Sequence, residues 1–153
     1  MISWQWSAFN ELSREELYEI LRVRQEIFTV EQNCAYQDAD DLDQCALHLM
    51  GWRKTLDHRQ LAAYLRVLPP ESRFREPSIG RLLSVRTARG TGLGRAIMHQ
   101  ALARLAVLYP GIPIRISAQQ YLESFYQDLG FTAASAIYEE DGIPHREMVR
   151  QGP

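Results

Sequence analysis

Arg86-Thr87-Ala88-Arg89-Gly90-Thr91-Gly92-Leu93-Gly94-Arg95 is the stretch that decides how this chain is read. Its three glycines alternate at the mouth of a helical pattern and follow an extended apolar run, Ile79 to Val85. Without a Cβ, glycine lets the backbone come close to an anion, and a helix start offers unpaired N–H groups at the positive end of its dipole. Arg89 and Arg95 flank the turn and add charge. The combination suits a phosphate or pyrophosphate. Two common nucleotide turns fail against it. A G-x-G-x-x-G fingerprint beginning at Gly90 needs a small residue where Arg95 stands, and one beginning at Gly92 needs it where Ile97 stands. The acidic ribose partner expected about 20 residues on is missing from Pro110-Gly111-Ile112-Pro113. A P-loop needs Gly-Lys-Ser/Thr at its close, and Gly94-Arg95-Ala96 does not supply it.

Downstream of the turn, Leu93, Ile97, Ala101, Leu102, Leu105 and Leu108 recur at helical spacing until Pro110-Gly111. Ile112 to Ala118 reads as a buried strand, since Ile114 and Ile116 alternate with Arg115 and Ser117. A helix over about Tyr121 to Leu129 stops at Gly130, a suitable residue to follow a helix end. Phe131 to Tyr138 and Ile143 to Arg150 form a terminal strand pair, turned by Asp141-Gly142. Upstream, Ser13-Arg14-Glu15-Glu16 is a capping box for a helix carrying Leu17, Ile20, Leu21, Ile27 and Phe28. Gln32 to Gln44, with Asp38, Asp40, Asp41 and Asp43, reads as a loop or a short irregular helix, its acidic run solvated or able to attract a cationic amine. Ala46 to Trp52 and Leu61 to Leu68 make a hairpin, and Pro69-Pro70 and Pro77 bracket a surface loop. The order helix, strands, helix, strand, helix, strands predicts an α/β fold with a mixed sheet and helices on both faces.

The 153 residues fit a single domain spanning 1–153, long enough to bury a core without a staple. Seventeen basic side chains against 19 acidic ones leave a net charge of −2 and no basic stripe, which argues against a nucleic-acid partner. Cys34 and Cys45 match no metal spacing and read as reduced, partly buried thiols; no metal is expected. Met1 to Trp6 lacks the basic and apolar regions of a signal peptide, and no apolar run is long enough to span a membrane. The expectation is a cytoplasmic protein.

Arg89, Gly92 and Gly94 compose an R-x-x-G-x-G/A pattern, and Phe125-Tyr126-Gln127-Asp128-Leu129-Gly130-Phe131 follows as F-Y-x-x-x-G-F. Together with the strand order and length, these resemble the GNAT superfamily of acyl-CoA-dependent N-acyltransferases over nearly the whole chain. More narrowly, Phe28-Thr29-Val30-Glu31-Gln32-Asn33-Cys34 and Tyr138-Glu139-Glu140-Asp141-Gly142-Ile143-Pro144-His145 look like the ElaA subgroup. The resemblance implies a central, mostly antiparallel sheet with a splayed parallel strand pair. It implies that the turn from Arg89 through Gly90, Thr91, Gly92, Leu93 and Gly94 to Arg95 cradles the coenzyme A pyrophosphate. It further implies that free backbone groups around Leu83, Ser84 and Val85 pair with the pantetheine and donate to the oxyanion. Where this family often has a proline shortly before the arginine, Arg86-Thr87-Ala88 has none, which leaves the register of the strand end open by one residue.

The implied reaction moves an acetyl group from acetyl-CoA to a primary amine of a small molecule or a protein. Tyr126, matching the family's tyrosine, is the candidate general acid: a phenol of pKa about 10 stays protonated and can serve a thiolate whose acid has pKa about 8.5. A lysine-like amine of pKa about 10.4 is neutral in roughly one molecule in a thousand at neutral pH, so a base is needed. Glu31, His48 and His145 are the candidates. Another reading keeps the turn in a non-catalytic acyl-CoA sensor. Strands near the C-terminus leave a homodimer open.

Overall fold

The computed structural model describes residues 1–152. The chain opens on a strand, β1 (Ile2–Ala8), followed by α1 (Arg14–Arg24) and a π-helical continuation, Gln25–Glu31. Three strands come next: β2 (Leu47–Lys54), β3 (Arg59–Leu68) and β4 (Ser78–Ser84). Then follow α2 (Leu93–Leu108), β5 (Ile114–Gln119) and α3 (Glu123–Asp128). β6 (Thr132–Ala133), β7 (Tyr138–Glu140) and β8 (Ile143–Arg150) complete the fold.

The capping box forms as expected: Ser13 Oγ accepts from the Glu16 amide at 3.0 Å and Glu16 Oε1 from the Ser13 amide at 2.9 Å. Other expectations need correction. The element order begins with a strand, not a helix. Ile2, Trp4 and Trp6 alternate with Ser3, Gln5 and Ser7, and this period of two is what pairs β1 with β2. The helix expected from Tyr121 is an exposed 3₁₀ turn, Gln120–Leu122, ahead of a shorter α3. Leu108, expected on the apolar face of α2, is exposed at its last turn. The strand expected over Phe131 to Tyr138 breaks into β6 and β7. Between them the Ser135 hydroxyl accepts the Glu147 amide at 2.9 Å, so a side chain takes the place of a ladder partner. Cys34 is buried but Cys45 is exposed, and both are free thiols.

Two antiparallel sheets result, one ordered β1-β2-β3-β4 and the other β5-β8-β6 with β7 also on β8. Alternation along the first sheet divides the core. Leu49, Ala63, Leu65 and Val67 face α2, where Ile97, Met98, Ala101 and Leu105 cover them. Met50, Trp52, Leu61 and Tyr64 face Ile20, Val23, Ile27 and Phe28 of the first helix. Helices therefore lie on both faces. The two sheets meet where β4 and β5 begin: the Arg115 amide donates to the Pro77 carbonyl at 3.1 Å. Both strands run away from that contact, and among the described residues no ladder joins them further along. This is the splayed parallel pair.

The acidic segment is not a solvated loop. Arg24, with no exposed surface, donates to Asp38 at 2.8 Å and to Asp43 at 2.7 Å. Arg66 donates to Asp43 at 2.9 Å and to Asp40 at 2.5 Å, and Arg81 to Asp38 at 2.8 Å. Burial alone would raise the Asp43 pKa, but the Arg24 and Arg66 guanidiniums outweigh it and hold the carboxyl below the usual range. Asp38, Asp40 and Asp43 are consumed internally and fasten residues 38–43 to α1, β3 and β4, while Asp41 is exposed. The three paired aspartates are not available to attract a cationic ligand.

Candidate active site

Between the splayed strands lies a cavity of about 480 Å³, walled by β4 on one side and the ends of β5 and β8 on the other. The sequence shapes the β4 wall. Tyr64 pairs with Leu83 and Arg66 with Gly80, so Arg81 and Leu82 together oppose Leu65 in a bulge, with Arg81 at φ 54°. The Val85 amide donates to Ala62 at 2.9 Å. Antiparallel alternation then turns the Leu83 backbone toward β3 as well and the Ser84 backbone away from it. Of the three residues expected to present free backbone, only Ser84 turns away from β3, and its carbonyl already accepts from Arg89 Nε at 3.2 Å; Leu83 and Val85 are spent on the sheet.

At the mouth of α2, Gly90 (φ 77°) and Gly92 (φ 80°) are left-handed, a conformation that favours glycine. A Cβ at either would meet nothing within 4 Å, so the turn asks for their backbone angles rather than their small size. Gly94 and Arg89 line the cavity. Among the described residues the consecutive amides of Gly90, Thr91, Gly92, Leu93, Gly94 and Arg95 have no hydrogen-bond acceptor, the first partner being the Gly92 carbonyl for Ala96. The Thr91 hydroxyl ties the turn down by donating to Ala88 O at 2.6 Å. Arg95 sits at the rim, 3.5 Å from Asp128.

Tyr126 lies in the cavity wall, only 8% exposed, edge-on to Phe125 and Phe131. Burial pushes its phenol well above the ordinary value, so it is a proton donor at every physiological pH.

The three candidate bases separate. His48 is fully buried, with Nδ1 2.7 Å from the Tyr64 hydroxyl and Nε2 2.9 Å from the Asp43 carbonyl. It does not line the cavity, and with both nitrogens engaged it supports the aspartate segment instead; the geometry removes it from the candidates. Glu31 does line the cavity but forms a bidentate pair with Arg89, at 2.5 and 3.1 Å. That hydrogen bonding holds its pKa below the usual carboxylate value, which makes it a poor base while the pair persists. His145 lines the cavity and is held by a 2.7 Å contact from Nδ1 to Ile143 O.

The segment carrying Glu31 forms a roof over the cavity. Glu31 reaches the glycine turn, Gln32 and Gln119 exchange amide hydrogen bonds at 3.4 and 3.3 Å, and the Cys34 thiol donates to Asp141 O at 3.0 Å. The two sequence strings at 28–34 and 138–145 thus face each other across the site. The π turn that delivers them shows as the Gln32 amide bonding to Ile27 O, a register no propensity argument distinguishes from ordinary helix. Among the described residues no group of three or more His, Cys, Asp or Glu side chains is placed to hold a metal.

Comparison with known proteins agrees with this geometry. Residues 50–151 match the family model described as an acetyltransferase (GNAT) domain. A UPF0039 protein of Synechocystis is 43% identical over 152 residues, covering 99% of this chain and 97% of its own. An acyl-CoA N-acyltransferase from Pseudomonas aeruginosa superposes with a TM-score of 0.90 at 41% identity, over 98% of this chain and 99% of that one. ElaA of Escherichia coli does so with a TM-score of 0.89 at 38% identity, over the same shares, 98% and 99%. With a cavity between splayed strands, an open anion cradle at its edge and these relatives, the chain belongs to the GNAT acyltransferase family, in the group that includes ElaA.

Proposed function

We propose that this protein transfers an acetyl group from acetyl-CoA to a primary amine of a small molecule or protein, by direct attack with both bound. The observation that carries this reading is the run of unpaired amides from Gly90 to Arg95 opening at the cavity edge, which suits a pyrophosphate. From there a pantetheine arm would lie along β4, where the Ser84 backbone faces away from β3 and its carbonyl would be released as Arg89 turns to a phosphate. Arg89 would exchange Glu31 for a phosphate oxygen.

In this mechanism the neutral amine attacks the thioester carbonyl, forming the C–N bond and pushing the carbonyl electrons onto oxygen. Backbone N–H groups of the bulged β4 are the donors available to that oxyanion. The carbonyl reforms, the C–S bond breaks, and Tyr126 gives its proton to the departing thiolate. The phenolate then recovers a proton from the cationic nitrogen, so amide, thiol and phenol all leave the step neutral.

Calorimetric titration with acetyl-CoA, with ATP and NAD as controls, tests the reading. Selective acetyl-CoA binding by the wild type, abolished in Gly92→Glu, is the expected result. A folded wild-type protein that binds no acetyl-CoA would overturn it.

A further inference from the structure

Most charged groups lining the cavity already have a partner of opposite sign. Arg66 and Arg81 hold aspartates, and Arg89 holds Glu31. On the β5–β8 wall Glu140 likewise pairs with Arg73, but a further side chain, His145, faces the same carboxylate. Glu140, on β7, is the centre of this cluster. Its Oε1 accepts from Arg73 at 2.5 Å, and its Oε2 accepts from the Ser117 hydroxyl at 3.5 Å. Tyr138 is hydrogen-bonded to Ser117, so with the Ser117 proton directed at Glu140 the phenol must be the donor of that pair. Donors thus fix both carboxylate oxygens from behind.

His145 completes the cluster on β8. A carbonyl oxygen only accepts, so the 2.7 Å contact between Nδ1 and Ile143 O requires the proton on Nδ1. Stacking on Tyr138, with planes 24° apart, fixes the ring further. In the neutral imidazole Nε2 is then a bare lone pair, and it stands 3.5 Å from Glu140 Oε2. In that form two acceptors face each other with no hydrogen between them. An N–H donor seated beside both would satisfy each, and both residues line the cavity.

Resting on the acyl-transfer reading above, we propose that Glu140 and His145 form the site for the acceptor's ammonium group, with His145 as the base that activates it. One ammonium N–H donates to Glu140 Oε2 and a second to His145 Nε2. The proton on the second passes to Nε2, leaving a neutral amine and an imidazolium beside the Glu140 carboxylate. The imidazolium returns that proton to solvent after transfer. Arg73 and Ser117 are positioning residues that orient the carboxylate. The ligand class follows: primary alkylammonium groups fit, whereas an alcohol lacks the charge and a quaternary ammonium lacks the N–H.

The test uses full-length protein with isotope-labelled histidine, with and without coenzyme A, titrated with n-butylammonium chloride near neutral pH. n-Butanol and tetramethylammonium chloride are the controls. In the free protein nuclear magnetic resonance should find the His145 proton on Nδ1, and butylammonium alone should shift the Nε2 signal. Glu140→Gln should weaken butylammonium binding about tenfold or more while acetyl-CoA affinity, which doubles as the folding check, stays unchanged. An imidazolium in the free protein overturns the proposal, because the ring's own proton would then fill the gap. So does an Nε2 signal that ignores butylammonium, or equal affinity in Glu140→Gln. The wild-type measurement stands whether or not the variant folds. Absence of acetyl-CoA binding alongside a butylammonium response would overturn the donor reading and leave the ammonium site in place.

Discussion

Burial holds the Tyr126 phenol protonated, so losing its hydroxyl should affect only the departure of the thiolate. Tyr126→Phe is expected to lower kcat by about a hundredfold or more while acetyl-CoA binds as before, as read by steady-state kinetics and calorimetry. His48 makes a different prediction. Burial lowers its pKa below the ordinary 6.5. The unfolded chain therefore takes up a proton there before the folded one does. Stability is full above about pH 6.5 and falls as the pH drops from there toward the folded-state value. Urea unfolding across that range should show the slope, and His48→Gln should flatten it. Tyr126 and His145 both line the cavity, and each sits in a recognisable string. His48 was misread because nothing in Leu47-His48-Leu49 reveals that Tyr64 and the Asp43 carbonyl close on its two nitrogens. Those partners come from β3 and from the aspartate segment, and only the folded chain assembles them.

At the level of elements, the glycine turn separates two kinds of glycine. Gly92→Ala forces a side chain into a left-handed conformation and should cost about 1–2 kcal/mol in denaturant unfolding. Gly94→Ala should be close to neutral for stability, since its added Cβ would meet only Phe125 at an ordinary 3.9 Å. The roof is fastened to this turn through a pair that is partly exposed, with Arg89 at 39% and Glu31 at 28%. Glu31→Gln removes the carboxylate that competes for Arg89. Acetyl-CoA affinity should then rise by a factor of about five at most, the worth of one such surface pair. Periodicity reveals α1, α2 and β5, whose buried faces keep a regular spacing. It missed where regularity is broken by a single bond, as at Ser135 between β6 and β7 or in the π turn ahead of Gln32. The bulge at Arg81–Leu82 left no trace in the pattern either, although it shapes the wall of the site.

Across the whole molecule, the family match over residues 50–151 excludes β1, α1 and the roof. β1 joins the matched region through its ladder with β2 and the roof through Glu31–Arg89, while the buried arginine–aspartate network ties α1 to β3 and β4. Asp43→Ala would take one carboxylate from both Arg24 and Arg66, leaving Asp38 to the first and Asp40 to the second, and is expected to cost about 1.5–3 kcal/mol, read as a lower urea midpoint. The sequence showed the acidic run plainly but not its partners, because Arg24, Arg66 and Arg81 lie on three separate elements and carry no shared motif. Fold class and the glycine turn could thus be read from one dimension, while the β5–β8 wall of the cavity and its bracing could not. The open amides from Gly90 to Arg95 also bear on how the enzyme is handled at the bench. They offer hydrogen bonds to any tetrahedral oxyanion, so inorganic phosphate and sulfate are rivals of the donor. Assays in phosphate buffer should raise the apparent KM for acetyl-CoA and leave that for the amine alone.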